Sequence, residues 1–468
     1  MNKNSSCMTR LVALCSIVAV AMQVLAEGAF PAKQIIGALD WEERGGVASI
    51  VDGPWQKCGV VIEPDQPFET EDNRLINTFP IKMPCEEGAP WFYGVFCTKG
   101  GYSNMVMMDK QEKHLLSRDG KGAFTLDGLP ENLMPGFPLV FKLDQNHYRM
   151  YFWAYDHGES LKIRFMVAES SDLHHWKMAN DCKPLLCHYA DSTWGDGLPS
   201  SRVCNDATTI YRHQDGSWEF LSAAVTMIKD PQSPYANKEL CPGIMRIVMR
   251  WTSQDGLNLS EPEIVLTPDA QDSPATQCYY LSVLDLEPYT VGIFGNFNTQ
   301  NQRLLMEPVW SRDHRHWSRT TRRGIFENDY VTAVSISDIG LDADGMVSLY
   351  YSASNTDHNG KIVEGDVAEN KLYKAQVPCR KFFGRRLSDG VSLVSPAIRY
   401  TGKNPKIYIS EDAEIVCEWQ DLFSTTSSPV PVKIQNGTAE VRLSEAIGLT
   451  SSGFLHVTGN GIIFDAEY

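Results

Sequence analysis

The sequence predicts an all-β protein, a five-bladed β-propeller followed by a small C-terminal β-sandwich, and three observations carry this. Helix signals are almost absent, while apolar and aromatic residues alternate or cluster in short runs between Gly, Asp, Asn and Pro. A strand-like run closed by a tight polar turn recurs, at Leu304 to Trp317 (LLMEPVWSRDHRHW), Ile163 to Trp176 (IRFMVAESSDLHHW), Met245 to Leu259 (MRIVMRWTSQDGLNL) and, more loosely, His114 to Phe124. Trp176 and Trp317 lie four residues after Asp172 and Asp313, and Leu259 four after Asp255. Repetition at irregular spacing, each copy preceded by further strand-like runs, is the signature of four-stranded propeller blades. Beyond Arg385 the texture changes to short strands such as VSLVSPAI, PKIYISE and AEIVCEWQ, as in a separate sandwich.

Residues 1–26 carry Lys3, Arg10 and an apolar run ending in Val24-Leu25-Ala26, the pattern of a signal peptide cleaved after Ala26. A secreted or periplasmic protein is expected. Leu14 precedes Cys15 where a lipoprotein signal needs a small residue. Residues 27–387 are read as the propeller, with a lead-in to about residue 74 that covers or completes the first blade. Five units follow, spanning Leu75 to Phe124, Phe137 to Trp176, Val203 to Leu259, Cys278 to Trp317 and Tyr330 to Val377. Each holds three strand candidates, for example PLVFKL, HYRMYFWAY and LKIRFMVAES in the second. One large β-sandwich is the competing reading. Residues 388–468 form the C-terminal sandwich.

Composition narrows the partners. Without the signal, 40 basic side chains face 58 acidic ones, a net charge of −18, and no basic run exceeds Arg322-Arg323 or Arg385-Arg386. Nucleic acid, which needs cations for its phosphates, is not expected as a partner. No later stretch approaches the length of a membrane span. Ten cysteines remain, an even number compatible with disulfides, and Cys182 with Cys187 would close the shortest loop. CxxC and HxxxH spacings are missing, so no metal and no cofactor is expected, apart from room for a structural cation at the propeller axis.

The strand-plus-S-x-D-x-x-x-W unit, Asn205-Asp206 followed by ATTIYRHQDGSWEF, and GRRLSDGVSLVSPAI together resemble secreted bacterial proteins related to glycoside hydrolase family 32. The resemblance implies a five-bladed propeller, a trailing sandwich and a carbohydrate substrate. Asp206 matches the aspartate of that family's Arg-Asp-Pro motif, which stabilises the transition state; here the motif reads Asn205-Asp206-Ala207. The family's general acid sits in a Glu-Cys pair, whose nearest match is Gln277-Cys278, and an amide is no acid. The nucleophile's Asn-Asp-Pro motif has no counterpart in NRLINTFPIKM. Either other acids serve here, or sugars are bound without hydrolysis. In sialidase turns the tryptophan lies five residues beyond the aspartate, against four here, which disfavours that family. Asp172, Asp255 and Asp313 are expected to be blade scaffolding.

Glycoside hydrolysis needs two carboxyl groups across the scissile bond, one protonated and one ionised. The candidates are Asp206 and Asp329, each opening a unit, with Glu307 in reserve. Glu307 stands where sister repeats have Met166 and Met249; burial there would raise its pKa, whereas a water-facing strand would make it inert. The alternative for Asp206 is a local turn acceptor. For binding, Asp156-His157 and Asp357-His358 follow second strands, Trp194 lies in a Gly-rich loop, Arg202 could hold a substrate carboxylate or an aspartate, and Gln277 occupies the acid position. Trp153, Tyr155 and Tyr330 could offer flat faces to sugar rings. The expected activity is that of a glycosidase; the alternatives are a carbohydrate-binding propeller without catalysis and a propeller for protein interaction.

Overall fold

The computed structural model describes residues 35–70, 81–97, 102–156, 162–191, 198–227, 244–326, 337–358, 361–366, 368–446 and 452–468. Strands dominate them: the helical content is one short helix, Pro67–Thr70, and five three-residue 3-10 turns. None of the described helices is long and apolar enough to cross a membrane. The described residues form two compact units, one within residues 54–379 and one within residues 1–53 and 380–468.

Residues 54–379 adopt a β-propeller arrangement. The apolar runs become strands because consecutive side chains point to opposite faces, and both faces are covered by neighbouring sheets. His147–Asp156 illustrates this, with every residue after His147 buried. Its sheet also holds Met134–Asp144, Lys162–Ser170 and His175–Met178, extended by short strands at Thr125–Asp127, Leu186–His188 and Val203–Cys204. The third sheet runs Thr208–Arg212, Trp218–Met227, Ile244–Ser253, Glu263–Leu266, and the fourth Thr276–Leu286, Tyr289–Asn298, Arg303–Ser311, Trp317–Ser318. The last sheet has Asp338–Leu341, Met346–Ser354 and Asn370–Pro378, with Gln56–Ile62 added at its edge. The first holds Trp91–Cys97, Tyr102–Asp109 and Glu112–Leu115, with Ile81 bridged to Tyr93.

Cores lie between successive sheets. Met107, Phe152 and Trp176 fill the gap between the first and second, Trp153, Phe165 and Trp251 the next, and Leu221, Cys278 and Phe294 the third. Ser282 Oγ donates to the Ser337 carbonyl between the fourth and last. Ile62, Tyr350 and Leu372 of the last sheet pack with Tyr93 and Val106 of the first, which closes the ring. Up-and-down antiparallel pairing puts the start of each first strand, the end of the second and the start of the third at one end, here called the mouth.

In the other unit, the long strand Ser452–Glu467 serves two groups of strands. Its first half pairs with Glu414–Asp421 and Ser392–Val394, its second with Phe383–Leu387, Lys406–Ile409 and Ile35–Ile36. The change of partner falls at Gly459 and Gly461, at φ of 127° and 99°, a region open to glycine. The core is built from Trp41, Leu393, Ile407, Trp419, Leu455 and Ile463.

The lead-in departs from the expected 27–387 boundary. Its strands Ile35–Ile36, Glu42–Arg44 and Ser49–Asp52 pair with Ser452–Glu467, Ser392–Val394 and Phe383–Leu387, and Gln56–Ile62 completes the last sheet instead of the first. Backbone donors of an edge strand are satisfied wherever a free edge lies, and sequence distance does not enter. Cys182 and Cys187 are both free thiols, the first exposed and the second buried.

Candidate active site

Asp206 stands at the mouth, just before the inner strand Thr208–Arg212. Asn205 does the local turn work: its Oδ1 accepts from the Ala207 amide at 3.3 Å and its own amide donates to the Ala223 carbonyl. That leaves the half-buried Asp206 carboxylate to another partner, the Tyr155 hydroxyl, which donates to Oδ2 at 3.1 Å. Burial, then the neighbouring Asp206 charge, holds the Tyr155 pKa far above the ordinary phenol value, so it remains a donor. Such a charge-assisted bond contributes about 1.5–3 kcal/mol.

A second polar group continues around the axis. Arg246, at the start of the third strand of its sheet and 6% exposed, donates from Nη1 to Gln277 Oε1 at 3.0 Å. Its guanidinium lies 5.1 Å from the ring centre of Tyr279, a cation–π contact. Tyr279 Oη meets His358 Nε2 at 2.9 Å, and the His358 ring lies 4.7 Å from that of Phe297. Burial, helped by the Arg246 charge, depresses the His358 pKa to about 3, so the imidazole is neutral. Burial holds the His188 pKa low, against the raising effect of the nearby Asp206 and Asp191 charges and with help from Arg246. The mouth therefore brings the Asp206 carboxylate together with a guanidinium, two neutral imidazoles and two phenols, a set able to grip a polyhydroxylated ligand and to stabilise developing positive charge at Asp206.

Of the residues singled out from sequence, this brings together Asp206, Gln277, His358 and Tyr155. Asp156 is buried near the mouth and accepts from Asn132 Nδ2 at 2.6 Å. Asp357 fastens its own loop through the Lys361 amide. The Arg202 guanidinium donates to the Ser260 and Leu259 carbonyls, both at 2.6 Å, and not to an aspartate. Glu307 is buried and does not face water, but Arg319 clamps both its oxygens, at 2.7 and 2.8 Å, and Asn296 adds a bond at 2.9 Å. This is a structural ion pair and not a proton donor facing substrate. Trp153 is 1% exposed, so it is core and not a sugar platform. Asp329, Trp194, His157 and Tyr330 lie outside the described residues.

Arg246, Tyr279 and His188 were not anticipated. A signal for Arg246 did exist, an arginine inside the apolar alternation of MRIVMRW; the other two read as ordinary strand residues.

The recurrent turns are scaffold. Asp172 Oδ1 accepts from the His174 and His175 amides at 2.9 and 2.8 Å, and Asp313 and Asp255 repeat the arrangement.

Neither a family model nor a curated protein matches the sequence. Solved structures do match by shape. A glycoside hydrolase shares 14% identity, with a TM-score of 0.45 over 69% of this chain and 92% of its own. A thermostable family-43 glycoside hydrolase gives 14%, 0.42, 68% and 93% in the same order. A GH32 β-fructofuranosidase from Bombyx mori gives 10%, 0.39, 85% and 94%.

Proposed function

We propose that the protein is a glycoside hydrolase that acts on an oligo- or polysaccharide at the propeller mouth, with Asp206 as one of its paired carboxylates. The observation that supports this is the Asp206 side chain itself: partly exposed, relieved of turn duty by Asn205 and oriented by the Tyr155 hydroxyl. Asp329 is the proposed second carboxyl group. Glu307, clamped by Arg319, is not that partner. The finer reading is a relative of family 32 in which the five sheets of residues 54–379 are five blades and the residue 388–468 region is a β-sandwich, exported after cleavage behind Ala26.

A second reading has its own support. Gln277, at the place where the resemblance calls for an acid, is 3% exposed and bound to Arg246, as befits a mouth that binds carbohydrate without cleaving it.

Release of reducing sugar from a broad oligosaccharide panel tests both. The expected result is activity that falls about 10²–10⁴-fold in Asp206→Asn and in Asp329→Asn at matched folding. Full activity in Asp206→Asn would remove the mouth from the chemistry. Binding without cleavage by the wild type would establish the second reading.

A further inference from the structure

At the end of the propeller opposite the mouth, four side chains from two neighbouring sheets converge. His213 lies in the hairpin after the inner strand Thr208–Arg212, and Glu219, 2% exposed, lies in the next strand of that sheet. Asp285 closes the inner strand of the fourth sheet, and His314 sits in its SRDH turn. His213 Nε2 is 3.2 Å from Glu219 Oε1, and His314 Nδ1 is 3.0 Å from Glu219 Oε2. One ligand atom from each of these three residues falls within 4.8 Å of the others. Ligands on a tetrahedron with bonds of about 2.0–2.2 Å stand roughly 3.3–3.6 Å apart, so each imidazole already has nearly the spacing from the carboxylate that Zn²⁺ requires.

We propose that His213 Nε2, Glu219 and His314 Nδ1 bind a divalent transition metal of the zinc class, pinning the third sheet to the fourth. Asp285 supplies the outer layer. Its Oδ1 is 2.8 Å from His314 Nε2 and its Oδ2 is 3.7 Å from His213 Nδ1, the ring nitrogens that face away from the metal position. A carboxylate behind a histidine ligand fixes the tautomer and raises basicity, and here one aspartate serves both rings. Thr290 Oγ1 donates to Asp285 Oδ1 at 2.8 Å and holds it in place. Nitrogen donors favour this class of ion over Mg²⁺ or Ca²⁺.

Other charged neighbours are Asp215 near His213, Arg250, which binds Glu219, and Glu263, which accepts from Arg250 at 3.1 Å and from Arg315 at 2.9 Å. Imidazoles bind metal only when neutral, so a bound M²⁺ takes the place of up to two imidazolium protons, and the formal charge of the cluster is then unchanged. His314 has φ of 59°, where the sister turns have Leu173 and Gly256. Only this turn places an imidazole at that left-handed position facing an acid of the preceding sheet.

Titration of the metal-stripped full chain with Zn²⁺ by calorimetry tests the site, with Co²⁺ as a spectroscopic probe. We expect one ion per chain, affinity that rises with pH as protons are released, the visible absorption of four-coordinate Co²⁺, and a Tm higher by several degrees that EDTA reverses. His213→Gln and His314→Gln should each lose at least tenfold in affinity, and Asp285→Asn about 10–100-fold. Stoichiometric binding that survives in both histidine variants, or no binding by the wild type, would overturn the proposal. Should a variant not fold, the wild-type Co²⁺ spectrum decides alone: a spectrum without nitrogen-ligated four-coordinate character rejects the site. The cluster is independent of Asp206, so either outcome leaves the mouth assignment standing.

Discussion

Glu307 and Asp206 are both strand-associated acids with polar partners, and their partners separate their roles. Glu307 is locked by a guanidinium that also binds Asp272, at 2.5 Å. Leaving Arg319 without one of its carboxylates should be costly, because the charge stays buried. Glu307→Gln is expected to destabilise by about 3 kcal/mol, read from the urea midpoint, while the pH profile of any hydrolysis keeps its shape. A shifted acid limb with unchanged stability would restore Glu307 as the proton donor. Asp206 was legible in the sequence because it opens a strand after a Gly- and Pro-rich loop. The partner that disqualifies Glu307 was not, since Arg319 looks like any arginine in a polar turn until the hairpin folds back. His188 and Tyr279 escaped for the same reason: each is ordinary in its own strand, and meaning arises only where strands from different sheets meet.

The recurrent turn could be read from sequence because the bonds that shape it close within seven residues. Ser170 Oγ accepts from the Leu173 amide at 3.0 Å, Asp172 caps the next two amides, and the Trp176 indole donates to the Leu173 carbonyl at 2.9 Å with its ring 1% exposed. Trp176→Ala should cost about 3–5 kcal/mol, as a large aromatic removed from the core between two sheets. Asp172→Ala should cost about 1–2 kcal/mol, through orphaned amide donors. Both are measurable by urea unfolding, and a stable Asp172→Ala protein that has lost all sugar binding would move the turn from scaffold to site. Pairing at a distance was beyond the same reasoning. Gln56–Ile62 looks like a strand locally, yet its partner Asn370–Pro378 lies some three hundred residues away, and either edge of the ring would have satisfied its amides. The His213, Glu219 and His314 cluster is the extreme case, with ligands on three elements and no spacing a motif could capture.

At the scale of the whole molecule, the unexpected alliance of the N-terminal strands with residues 380–468 makes stability depend on pH. Asp465, 5% exposed, accepts from the Ala38 amide at 3.0 Å, with Arg380 at 3.7 Å and Asp40 nearby. Burial dominates and pushes its pKa up to about 7, against the lowering effect of the Ala38 amide and Arg380 and with some help from Asp40. The unfolded chain titrates at about 3.9, so between these values the folded state holds more protons than the unfolded one. The sign follows from linkage: the contribution is fully present below about pH 4 and is lost as pH rises through 7. Its size is on the order of 2–4 kcal/mol. Asp465→Asn is neutral throughout and its Oδ1 can still accept from Ala38, so the fall in stability between about pH 4 and 7 should vanish in the variant. Hydrogen exchange of Ile35–Ile36 and Ser452–Glu467, followed across that range, isolates this unit from the unfolding of residues 54–379. Parallel pH slopes in wild type and variant would mean that Arg380 keeps Asp465 ionised in the folded state, and that the pair, not a buried neutral acid, fastens the N-terminal strands.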